Sequence, residues 1–246
     1  MCFSTEMSFA FACGGIAVAM VAWLKLNALG GAARRGAPAF VTGVLYFVVM
    51  EFLQAISYRY IDDGSGSRCR GPNAALTVAG FAHICFQPYF THLMCGAFYN
   101  PKGTRGVQNA FTLRLCLIAG IAFFMRYVLA AHAELPSYAP PGPGANREWI
   151  RASTDSPAGP AASCTSPGVY HLAWSVPLYQ PTYFSPSVYI HSFMMFAPFL
   201  VSSGLQPKLF GAFLFATGPL LSAWITPNLC AREMRPLTRP DSREAP

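Results

Sequence analysis

Glu51 is the first residue to read for chemistry, because it is an acidic side chain inside an apolar block that runs over residues 39–58. Gln54 and Tyr58 follow it at i+3 and i+7, which on a helix makes one polar stripe. A carboxyl buried in such a block is costly unless it faces other protein groups. It then either does chemistry or joins helices as a protonated hydrogen-bond donor. A second polar set is carried by His83, Gln87 and His92. His83 and Gln87 share a face at i+4, whereas His92 falls about half a turn away, which separates the two imidazoles as ligands. Pro88 lies beside this set and removes one helical hydrogen bond, so a kink there would shape either a cavity or simply the packing. His191 supplies another imidazole, beside Tyr189 and Ser192.

Taken together, Glu51, His83 and His191 have the mixed carboxylate and imidazole character of a divalent-metal site, a haem ligand set or a proton relay near neutral pH. No H-x-x-x-H, H-x-x-H-H or E-x-x-H pattern accompanies them, so a metal or haem centre is the minor reading. Loss of Met1 would expose the amine and thiol of Cys2, a pair able to act as nucleophile and base or to chelate a soft metal, or else merely a docked terminus. The expected roles are therefore proton exchange by Glu51 and His83, Cys2 near the cavity mouth, and ligand contacts from Gln54, Gln87, His191 and Tyr58.

The elements that must position these groups follow from composition. Of 246 residues 53% are apolar and 11% charged, against roughly 25% charged in soluble domains. Apolar blocks of about 20 residues, the length that crosses the hydrocarbon core, fall near 8–26, 39–58, 74–98, 110–131, 186–203 and 209–226. Only helices satisfy their own backbone in lipid without the alternating pattern of barrel strands. The expected fold is all-α, a polytopic integral membrane helical bundle of about six transmembrane helices forming a single domain over 1–246. Met1 to Met7 holds no basic residue, which argues against a cleavable signal peptide at the first block.

The net charge of +7 comes from 17 Lys and Arg, which lie mainly between the blocks and collect on no single basic face. They read as topology determinants, with the lipid bilayer as partner and no role for nucleic acid. With six spans, Lys25, Arg34, Arg35, Lys102, Arg105, Arg114 and Lys208 share one side with no acidic residue, which assigns that side to the cytosol or matrix. The N-terminus and the long loop then face the exoplasmic side. That loop, 132–185, is rich in Pro and Gly, and its second half carries Tyr170, Trp174, Tyr179, Tyr183 and Phe184. Such aromatic density suits a membrane interface, either as a partial lid on the bundle or as a headgroup anchor. The tail at 232–246 is polar.

Eight cysteines contain no C-x-x-C pair. Cys69 and Cys164 fall in exoplasmic loops, where they either pair and tie the long loop down or remain free thiols. Walker, nucleophile-elbow, sequon and lipidation motifs are all missing, and no inverted repeat of the carrier kind is visible.

The opening Met1-Cys2-Phe3-Ser4 with Ser8, the Met50 to Gln54 element, the short loop with Cys69 and Asn73, and His83-Ile84-Cys85-Phe86-Gln87-Pro88 resemble a group of uncharacterised, mostly bacterial multi-pass proteins. The resemblance covers most of the first three blocks. It implies a membrane fold with a shared polar set and supplies no activity. Three functions remain open: an exoplasmic-facing polar intramembrane cavity, lined by Glu51, Gln54, His83, Gln87 and His191, that binds a small ligand, metal or lipid-soluble substrate; a structural or accessory subunit of a larger membrane complex; and a proton-coupled transporter.

Overall fold

The computed structural model describes residues 5–61, 69–134, 137–138, 163–167, 172–177, 188–201 and 205–216. They form six helices, α1 (Thr5–Leu29), α2 (Gly31–Ser57), α3 (Pro72–Gly96), α4 (Thr104–His132), α5 (Val188–Val201) and α6 (Leu205–Phe215). Three short strands, β1 (Ser137–Tyr138), β2 (Cys164–Pro167) and β3 (Leu172–Pro177), lie between α4 and α5. Helices α1, α2 and α4, with 25, 27 and 29 residues, are long and apolar enough to cross a membrane. Their outer faces expose large apolar side chains such as Phe11, Trp23, Leu24, Ile118 and Leu129, as lipid-facing surfaces do.

Among the described residues, three of the six expected spans thus meet the length and apolarity of a crossing helix. The third block forms a 25-residue helix, but its polar residues place it outside that class. The reason is its position. Helix α3 packs against α2, α4, α5 and two of the strands, so its Asn73, Thr77, His83, Thr91 and His92 are buried among protein groups. Pro88 is buried within α3, which remains one helix from Pro72 to Gly96. The fifth and sixth blocks give helices of 14 and 11 residues, and residues 217–226 of the sixth lie outside the described residues. The second block begins earlier than expected, because α2 already includes Arg34 and Arg35.

Helix α1 turns back onto α2 at Gly30 and Gly31, whose φ angles of 68° and 54° lie in the left-handed region that side chains disfavour. Successive helices pack as neighbours from α1 to α4, α5 lies on α3, and α6 lies on α5. Contact of Phe40 with Phe98 puts the start of α2 beside the end of α3. One end of the bundle therefore carries the Gly30 and Gly103 turns.

The opposite end carries the sheet, so the chain is not wholly helical. Its strand order is β1-β3-β2, all antiparallel, with Ser137 opposite Pro177 and Cys164 opposite Ser175. Leu172, Trp174 and Val176 alternate with Ala173 and Ser175, the period-two pattern of a strand within a segment that otherwise reads as Pro- and Gly-rich loop. Val176 joins Phe81, Cys85 and Phe123 in the core cluster of α3 and α4. Trp174 lies over Gly80, where a Cβ would come within 2.7 Å of its Cη2, so only glycine lets the indole approach the helix.

Candidate functional site

The sheet is fastened by polar side chains. Asn73, in the first turn of α3, donates from Nδ2 to the Thr165 carbonyl at 2.8 Å and receives the Thr165 N–H on Oδ1 at 2.7 Å. An amide side chain thus pairs with a strand residue as another strand would. The same Nδ2 donates to the Tyr60 carbonyl at 2.7 Å, just past the end of α2. Thr77, one turn on, donates to the Asn73 carbonyl at 2.8 Å, and its hydroxyl lies 2.6 Å from that of Thr165. Asn73, Thr77 and Thr165 are all buried. A disulfide joins Cys69 to Cys164, with a Cα–Cα distance of 4.8 Å, and Tyr127 of α4 meets Ser163 at 2.9 Å.

The residues expected to do chemistry are distributed differently. His83 Nε2 lies 2.6 Å from the Tyr46 carbonyl, so this nitrogen carries the proton and donates it to α2. In return, the Tyr46 hydroxyl donates to the His83 carbonyl. The two rings stack at 3.8 Å, and Tyr46 stacks on Phe90 at 3.7 Å with its other face. His83 is therefore half of a clasp between α2 and α3. Its Nδ1 has no hydrogen-bond partner among the described residues. His83→Ala should lower the thermal stability of the purified protein by about 2 kcal/mol, since it removes a buried stacked ring and its hydrogen bond to the Tyr46 carbonyl. Thermal unfolding in mild detergent measures this.

Glu51 is half-buried and comes close to Ser8 of α1, although Glu51 Oε2 and Ser8 Oγ are in no well-formed hydrogen bond among the described residues. Gln54 on α2, Gln87 on α3 and His191 on α5 are half-buried, and Tyr58 is the C-cap of α2. Cys2 lies outside the described residues. Among the described residues no three His, Cys, Asp or Glu side chains gather as a metal set, so Glu51, His83 and His191 do not converge on one ion.

Two cavities open instead toward the end of the bundle that carries the Gly103 turn. The larger, about 310 Å³, lies between α3, α4 and α5 and is walled by Phe111, Leu115, Phe193 and Phe199, with Gln108 and Asn109 as polar groups. The smaller, about 200 Å³, lies between α2, α3 and α6 and is walled by Phe40, Met94, Phe98 and Phe210. Tyr99 and Arg105 line both. Among the described residues, none of those expected to act in catalysis or ligand binding lines either cavity.

His92 lines the larger cavity. It is buried, donates from Nε2 to the Met194 carbonyl at 2.9 Å and packs its ring on Phe199 at 4.7 Å, which fixes α5 against α3. Burial raises the pKa of the Tyr99 phenol, an effect reinforced by Cys95 and opposed by the Arg105 charge. Tyr99 is therefore a neutral hydrogen-bond donor at physiological pH. Arg105 makes no ion pair among the described residues. The only sequence signal for this site was the excess of basic residues on one side, which reads as topology rather than as a ligand group.

No curated protein and no solved structure shows significant similarity to this chain. One family profile does, over residues 6–234, and that range takes in α1 from its second residue on, the other five helices and all three strands. The chain belongs to DUF5765, a family of unknown function.

Proposed function

We propose that this chain is a six-span integral membrane protein, N-terminus outward, that binds a small amphipathic ligand at the cytosolic or matrix end of its bundle. The observation that carries this reading is Arg105. It is a cation without a carboxylate partner among the described residues, set beside Tyr99 where two apolar-walled cavities meet. The volume of about 310 Å³ falls at the lower edge of the range of small-molecule sites, which are apolar pockets with a few convergent polar groups. The clustering of basic residues at this end and the disulfide at the other both support the orientation.

The test is a mass measurement on protein purified from its own membrane. Native mass spectrometry should show a retained small molecule at one per chain, and Ala197→Phe, which fills the larger cavity from α5, should reduce its occupancy at least about tenfold. Retention unchanged by Ala197→Phe would overturn the reading.

A second reading, an accessory subunit of a larger membrane complex, is favoured by His83 and His92. Both are used as cross-links to backbone carbonyls of neighbouring helices, as expected where polar groups only set packing. Co-purification of stoichiometric protein partners in mild detergent, with the cavity empty, would decide for it.

A further inference from the structure

Two apolar clefts diverge from a single cation in this structure. The larger runs between α4 and α5 along Phe111, Leu115, Phe193 and Phe199; the smaller runs between α2, α3 and α6 along Phe40, Met94, Phe98 and Phe210. Arg105 and Tyr99 belong to both walls, so they stand where the clefts join. We propose that this forked site holds one anionic two-chain phospholipid of the cytosolic leaflet, its phosphate on Arg105 and Tyr99 and one acyl chain in each cleft. The proposal rests on the ligand-binding reading above and names its ligand class.

Charge and shape both point to this occupant. Residues 25–38, 96–114 and 205–216, which form this end of the bundle, include Arg34, Arg35, Lys102, Arg105 and Lys208 but no Asp or Glu. The counter-charge for Arg105 is thus not supplied by these segments. A phosphodiester provides it in a form that a guanidinium can bind through two hydrogen bonds. Tyr99, as a neutral phenol, adds a donor, and Asn109 and Gln108 offer amide groups along the polar rim of the larger cleft. A single-chain amphiphile would fill one cleft and leave the other without an occupant, whereas an inorganic anion would use neither apolar wall. Anionic lipid is also the ligand that the cytosolic leaflet supplies at this depth, where each interfacial Lys or Arg strengthens attraction.

The experiment uses full-length protein stripped of lipid in detergent and then exposed to phosphatidylglycerol, phosphatidylcholine or laurate, with bound molecules counted by native mass spectrometry. One phosphatidylglycerol per chain should be retained at least about fivefold more strongly than phosphatidylcholine. Arg105→Gln should abolish that preference, Arg105→Lys should restore part of it, and Arg35→Gln, which removes the same charge outside the clefts, should leave it intact. Ala197→Phe provides a second variant that blocks one cleft without altering charge, and it should weaken phosphatidylglycerol retention as well. Equal retention of both phospholipids, or equal losses in Arg105→Gln and Arg35→Gln, would overturn the proposal, because general attraction to a basic surface would then suffice. Laurate competing as well as phosphatidylglycerol would overturn the two-chain site and leave the small-ligand reading standing. A non-lipid molecule displaced by Ala197→Phe would have the same consequence.

Discussion

Asn73→Ala should destabilise the protein by about 4 kcal/mol and release the sheet from the bundle. The side chain satisfies both the N–H and the carbonyl of Thr165, and it also reaches the Tyr60 carbonyl. Leaving buried groups without partners costs about 1–3 kcal/mol for each, and Asn73 and Thr165 are exposed to only 2% and 1%. Asn73→Asp separates geometry from donor chemistry. A carboxylate still accepts the Thr165 N–H, but it faces the Thr165 and Tyr60 carbonyls with no proton to donate, so it should be nearly as damaging as alanine. Thermal unfolding in detergent, together with limited proteolysis within 139–187, measures both effects. A loss below about 1 kcal/mol in both variants would show that the sheet holds its place without this clasp.

Loss of the Cys69–Cys164 disulfide should have an effect of similar size. The bond closes a segment with a sequence separation of 95, and the chain-entropy description assigns about 4–5 kcal/mol to a loop of that length. Cys69→Ser, Cys164→Ser and the double variant should therefore be equally unstable, because each removes the same single bond. A double variant clearly worse than either single one would mean that the free thiols contribute by packing. The bond also reports on orientation. It requires an oxidising compartment, so membrane-impermeant maleimide should label Cys69 and Cys164 from the exoplasmic side only after reduction. A cysteine placed at Lys102 should be reached only from the opposite side.

The helices were largely legible because a block of about 20 apolar residues has few other folded solutions. The ends were less so: α2 begins before Arg34, since two arginines at a helix terminus are tolerated where their long side chains reach the interface. Helix α3 shows the limit of the apolarity argument. Its Thr77, Thr91 and His92 can be buried because neighbouring elements surround them, and hydropathy along one segment carries no record of what packs on it. The sheet lay within a segment whose Pro and Gly content reads as loop, and the alternation of Leu172, Trp174 and Val176 was its only local signal.

Glu51 and His83 stand out in the sequence as ionisable groups in apolar blocks, yet His83 is engaged by Tyr46, a residue 37 positions away that no spacing rule connects to it. Asn73 and Thr165, separated by 92 positions, are a similar case. In the sequence Arg105 reads as one of the topology charges, because its distinguishing feature is a pair of clefts built from five different helices. Long-range pairings of this kind exist only once the bundle has formed.

The ligand site is tested most directly by a high-resolution density map of the protein in nanodiscs drawn from its own membrane. Ordered non-protein density should begin at Arg105 and Tyr99 and extend into the cleft between α4 and α5. A cleft occupied only by water, or closed by packing of Phe193 and Phe199 onto α4, would contradict it.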